Sequence, residues 1–96
     1  MAYVVAATYR AKAGEEERIR EILEQMAPLS RAEPGMRFYQ AHRSPDDPRV
    51  FFLYERYDDQ AGYEAHMASE HFVRLIRGEA IPRLENRELA FYVTLD

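Results

Sequence analysis

The run FFLYERYDDQAGYEAHMASEHF, Phe51 to Phe72, holds a strand, an acidic corner, a helix start and two histidines. From Val50 to Tyr57 the strand is apolar or aromatic on both faces. Alternation sets Phe51 and Leu53 on one side, and Val50, Phe52 and Tyr54 on the other. A strand of this kind belongs in the middle of a sheet covered on both sides. Asp58 or Asp59 then caps a helix, which carries Tyr63, His66 and Met67 back over the sheet.

Upstream, Tyr3 to Arg10 (YVVAATYR) is β-rich and reads as a first strand. Ala13-Gly14 breaks it. Glu15, Glu16 and Glu17 place negative charge where a helix N-terminus favours it. Ile19, Ile22, Leu23 and Met26 recur at i, i+3, i+4 and i+7, one face of an amphipathic helix. Pro28 is expected to kink or end its regular part, and Pro34-Gly35 stops it. Met36 to Arg43 (MRFYQAHR) is a second strand. The turn cluster Ser44-Pro45-Asp46-Asp47-Pro48 joins it to the third as a hairpin.

Downstream, Ser69 caps a second helical piece with Glu70 in its first turn. Ala65, Ala68, Phe72, Leu75 and Ile76 form one apolar stripe, which ends by Pro82. Leu89, Phe91, Val93 and Leu95 alternate with Glu88, Ala90, Tyr92 and Thr94 as a fourth strand. The order β-α-β-β-α-β predicts an α+β, ferredoxin-like fold: a four-stranded antiparallel sheet with both helices on one face. The whole chain, 1–96, is one domain. Helices cover one face only, yet the third strand is apolar on both. Face-to-face packing of two sheets in a homodimer resolves this.

The bulk composition narrows the functional classes. At 96 residues only about two-thirds of the unfolded surface is buried on folding. There is no cysteine, so disulfides and thiolate metal sites are excluded. The net charge is −4 with scattered basic residues, which argues against a nucleic-acid partner. No run reads as a signal peptide or bilayer span, so no membrane partner and a cytoplasmic location are expected. Seven Tyr and five Phe in so short a chain suggest an aromatic-lined cavity, a buried interface, or both.

Four segments carry a resemblance. They are Val4-Val5-Ala6 running to Ala13-Gly14-Glu15, then Arg31-Ala32-Glu33-Pro34-Gly35, then Leu53-Tyr54-Glu55-Arg56-Tyr57, and Glu64-Ala65-His66 with Ser69-Glu70-His71-Phe72. In this order and spacing the chain resembles the antibiotic biosynthesis monooxygenase domain family, small dimeric α+β barrels. Tyr57 stands where that family often carries Trp. The resemblance implies a homodimer with a cavity between sheet and helices in each subunit. It also implies oxidation of phenolic or quinol-type aromatics by O₂ without metal or flavin. Its haem-degrading branch needs an asparagine, a tryptophan and an iron-ligating histidine where this chain has Ala7, His66 and Ile76. Haem degradation by that route is therefore not expected.

The candidate chemistry centres on His66. Glu70 at i+4 lies within reach of its ring, and a carboxylate-oriented imidazole can accept a proton near neutral pH. The alternative is a surface or interface histidine satisfied by Glu70 or a carbonyl. His71, five residues on, points about 140° away on a continuous helix, so no shared metal is expected unless the helix breaks at Ser69. His71 reads as a polar contact at a helix N-terminus, and His42 as a structural residue. Glu55, among aromatics, needs a partner. Arg37, Arg43 or Arg10 could pair with it across strands, or it could bind or deprotonate substrate. Tyr54, Tyr57, Tyr63, Met67 and Phe72 are the candidate pocket lining.

The favoured reading is a cofactor-independent monooxygenase, with no metal, acting on a small phenolic or quinol-type aromatic. His66 is the proton acceptor and Glu55 its companion. Two alternatives stay open: a non-catalytic dimeric small-molecule binding or stress-response protein, and an isomerase-like acid–base enzyme on a small carbonyl compound.

Overall fold

A computed structural model describes residues 1–96. The elements are β1 (Tyr3–Ala11), α1 (Glu16–Arg31), β2 (Met36–Arg43), β3 (Val50–Tyr57), α2 (Gln60–Ala68), a π-helical segment (Phe72–Ala80), a 3₁₀ turn (Ile81–Arg83) and β4 (Leu84–Val93). The strands form one sheet in the order β2-β3-β1-β4, with every neighbouring pair antiparallel. This is the ferredoxin-like α+β arrangement that the sequence predicts.

β3 lies inside the sheet between β2 and β1. Its buried residues are Phe51, Leu53, Glu55 and Tyr57, all on the helix side. Phe51, Leu53 and Tyr57 meet Ile19, Ile22, Leu23 and Met26 of α1, and Phe72, Leu75 and Ile76 of the π-helical segment, in one core. Val50, Phe52, Tyr54 and Arg56 face the other way. On that uncovered face Phe38 is 43%, Phe52 39% and Tyr92 60% exposed. Phe38 and Tyr54 pack edge to face there, with ring centroids 5.6 Å apart.

Three local expectations are corrected. α1 does not end at Pro28 but runs on to Arg31. Pro28 is exposed, while Met26 and Ser30 around it are buried. Packing thus holds the last turn, and the carbonyl that loses its N–H partner can face water. The stripe through Ala65, Ala68 and Phe72 does not form, because the helix breaks at Ser69, whose backbone is extended (φ −67°, ψ 152°). α2 instead buries Tyr63 and His66. β4 starts at Leu84, before Glu88, and so brings Arg87 into register opposite Tyr9.

Candidate functional site

Three pieces of chain converge at one end of the core. β3 delivers Glu55 and Tyr57. The Asp59 side chain accepts a 3.0 Å bond from the Gly62 amide and starts α2. Tyr63 and His66, three residues apart, then face the sheet. The loop after α1 delivers Glu33. That loop touches α2 at Gly35, where a side chain's Cβ would stand 3.1 Å from the Gly62 Cα. The Asp58 amide also bonds the Gly35 carbonyl at 2.9 Å. Glycine on both sides lets the loop approach this closely.

The break at Ser69 brings the two histidines together. Ser69 Oγ donates to the His66 carbonyl at 2.7 Å and accepts from the Phe72 amide at 3.2 Å. The chain turns, and the rings of His66 and His71 lie 6.2 Å apart between centroids. Both meet one carboxylate. His66 Nδ1 lies 2.9 Å from Glu33 Oε2 and 3.1 Å from Oε1, and His71 Nε2 lies 2.6 Å from Oε2. The expected pairing of His66 with Glu70 does not occur, because Glu70 pairs with Arg74 at 2.9 Å. Glu33 takes its place.

His66 is 2% exposed. Its Nδ1 bonds to a carboxylate, which assigns the proton to Nδ1 and leaves the Nε2 lone pair free. Nε2 faces Glu55 Oε1 at 3.9 Å, too far for a hydrogen bond. Glu55 accepts a 2.5 Å bond from the Tyr57 hydroxyl. None of the three arginines considered as its partner reaches it. Arg37 pairs with Asp58, Arg43 with Glu17 and Arg10 with Asp47. Burial raises the Glu55 pKa, against opposing pulls from Tyr57, His66 and Arg87. Burial first, and the Glu55 charge second, lift Tyr57 far above the ordinary phenol range. The same two causes raise Tyr39 and Tyr63.

A cleft of about 240 Å³ opens beside this cluster, lined by Tyr63, Met67, Phe72, Arg77, Ile81, Arg87 and Leu89. Three of the expected lining residues, Tyr63, Met67 and Phe72, are here. Tyr57, His66 and Glu55 form the layer behind: the Tyr57 ring lies 5.5 Å from Tyr63, and the His66 ring 5.1 Å from Phe72. Tyr54 is not brought to the cleft; it lies on the uncovered face of the sheet. Arg87, like Glu33, is a residue that sequence reasoning missed. Its guanidinium lies 5.6 Å over the Tyr9 ring, and its Nε is buried with no hydrogen-bond partner. Arg77 sits 5.7 Å over Phe72. A larger groove of about 310 Å³ between α1 and β2 contains His42 but no expected site residue except by proximity to the sheet.

Two further residues bear on cofactors. Ala7 and Ile76 are each 1% exposed within the core and offer no donor to a haem. Glu33, His66 and His71, in contrast, each turn one ligand atom toward a common point, all within 4.8 Å of one another.

The family signature for antibiotic biosynthesis monooxygenase matches residues 2–78. Solved structures agree over almost the whole chain. PA3566 from Pseudomonas aeruginosa is 30% identical, with 99% of this chain and 95% of that one covered and a TM-score of 0.91. A candidate antibiotic biosynthesis monooxygenase from Nitrosomonas europaea is 27% identical, with 98% and 90% covered and a TM-score of 0.92. Rv0793 from Mycobacterium tuberculosis is 25% identical, with 100% and 97% covered and a TM-score of 0.91. No curated protein matches the chain.

Proposed function

This chain belongs to the antibiotic biosynthesis monooxygenase family, and on that premise we propose that it oxidises a small phenolic or quinol-type aromatic with O₂, without a metal or an organic cofactor. The observation that carries the reading is the state of His66: buried, its Nδ1 held by Glu33, its Nε2 free behind an aromatic cleft. An imidazole fixed in that tautomer is set to accept a proton from a hydroxyl.

Ground-state dioxygen reacts poorly with closed-shell molecules, but a deprotonated dihydroxy ring reduces it directly. One oxygen atom enters the ring, the other leaves as water, and the ring supplies the electrons. A quinol thus gives a hydroxyquinone plus water. The protein needs only to bind the ring, take the proton and exclude bulk water. Tyr63, Met67 and Phe72 hold the ring. Phe72, whose ring lies 5.1 Å from that of His66, separates the cleft from His66 Nε2, so a hydroxyl reaches that atom past its edge. Arg87, with its unpartnered Nε, stabilises the phenolate. Glu55, its pKa raised by burial, and Tyr57 complete the proton path behind. The uncovered sheet face with Phe38, Phe52 and Tyr54 packs on a second copy, making a homodimer.

Oxygen uptake over a panel of hydroquinones and polyphenols tests the reaction. Stoichiometric uptake with a hydroxylated product supports it. Tight binding of panel members with no uptake overturns it, and leaves a non-catalytic binding protein.

A further inference from the structure

We infer that Glu33, His66 and His71 form a binding site for a divalent transition-metal ion of the zinc type. The donors already converge. Glu33 Oε2 stands 2.9 Å from His66 Nδ1 and 2.6 Å from His71 Nε2, and the three ligand atoms span at most 4.8 Å. Zinc bonds imidazole nitrogen and carboxylate oxygen at about 2.0–2.2 Å, which sets tetrahedral neighbours roughly 3.4 Å apart. Side-chain shifts of about an ångström therefore reach that geometry. Two imidazoles with one carboxylate select zinc-like ions over magnesium or calcium, which prefer all-oxygen shells. Three protein ligands leave the fourth position to water.

Charge supports the same conclusion independently. Apart from Glu55, every other carboxylate in an ion pair faces an arginine. Glu33 faces only the two imidazoles, and its side chain is 13% exposed. A carboxylate this sheltered, with neutral imidazoles as its only partners, favours a nearby cation. A divalent ion supplies it without asking either imidazole to carry a proton. The site is also accessible and held in shape. The His71 side chain is 15% exposed, so an ion can reach the site from solvent. The Ser69–His66 bond and the Gly35–Gly62 contact fix the backbones that carry the ligands.

Occupancy has a chemical consequence. A neutral imidazole that ligates through Nδ1 carries its proton on Nε2. His66 would then donate toward Glu55 rather than accept from a substrate. The metal-bound and proton-accepting states of His66 are alternatives.

The test uses the full chain, dialysed against EDTA, and Zn²⁺ alone. Calorimetry should give one Zn²⁺ per chain with a rise in Tm, and Co²⁺ should give visible d–d bands. His71→Ala removes a partly exposed ligand, so it should fold, as circular dichroism would verify. It should weaken Zn²⁺ binding by more than the roughly 10–100-fold typical of losing an outer-shell partner. Glu33→Gln should do the same, and His42→Ala should bind as the parent does. Absence of saturable Zn²⁺ binding, or binding undiminished in both His71→Ala and Glu33→Gln, would overturn the inference. None of these readouts depends on the proposed oxidation.

Discussion

The hydroxyl of Ser69 donates a 2.7 Å hydrogen bond to the main-chain carbonyl of His66. One side chain thereby closes α2, starts the π-helical segment through the Phe72 amide, and turns His71 back onto Glu33. Ser69→Ala should cost about 1 kcal/mol, as capping losses typically do, or roughly 4–8 °C in Tm for a domain of this size. It should also loosen His71 from Glu33, seen as a changed His71 ring environment by NMR. An unchanged Tm and unchanged His71 signals would show that packing alone makes the turn.

Glu55 gives a signed pH prediction. Burial raises its folded-state pKa. Its contribution to stability is therefore fully present below the unfolded carboxyl value, and is lost as pH rises through the folded value. Glu55→Gln keeps an acceptor for the Tyr57 hydroxyl and removes the ionisation. The Tm advantage of Glu55→Gln over wild type should thus grow as pH rises from about 4 toward 8. Glu17, Asp47 and Glu79 have lowered pKa values, from hydrogen bonds to Arg20 and Arg43, to the Arg49 amide and Arg10, and to Arg18. They contribute the opposite slope, with stability lost as pH falls, and they cancel in the comparison. A Tm difference independent of pH would mean that Glu55 titrates normally.

The uncovered sheet face predicts the assembly. Burying an aromatic side chain contributes about 1.5–3 kcal/mol, and a two-fold interface uses each residue twice. Phe52→Asp places two new charges in that interface. Sedimentation at micromolar concentration should show a dimer for the wild type and a shift to monomer for Phe52→Asp, with the helix-side core intact by circular dichroism. A well-folded wild-type monomer would refute the dimer.

Legibility in the sequence followed the range of the interactions. β3, the hairpin and α1 were readable because their signals are local: alternation, a turn cluster, a 3.6-residue stripe. Tyr63, Met67 and Phe72 line one cleft. Glu33 was not readable as a partner of His66, since the contact spans 33 residues and depends on the loop pressing Gly35 onto Gly62. The approach of His71 to Glu33 is not legible on a continuous helix, because it depends on the extended backbone at Ser69. Alternation groups Tyr54 with the pocket because it gives relative faces without saying which one the helices cover. Arg87 escaped because β4 begins four residues before its clearest alternation.

His66 carries the last prediction. It is fully buried, so truncation to alanine would leave a cavity and strand the Glu33 carboxylate, losses of several kcal/mol that would confuse stability with function. His66→Asn is the cleaner change. The asparagine amide N–H can replace Nδ1–H toward Glu33, while nothing replaces the Nε2 base. Once the panel supplies a substrate, His66→Asn should lower kcat by about 10²–10⁴-fold, the usual worth of a general base. It should abolish any pH dependence of kcat that comes from the imidazole, with Tm changed far less than in His66→Ala. Glu33→Gln should lower kcat to a smaller degree and alter the pH profile, because it unfixes the tautomer without removing the base. The comparison is made in EDTA, so that no metal occupies Nδ1. Equal turnover by wild type and His66→Asn across the pH range would remove His66 from the mechanism and move proton acceptance to Glu55 and the tyrosines behind the cleft.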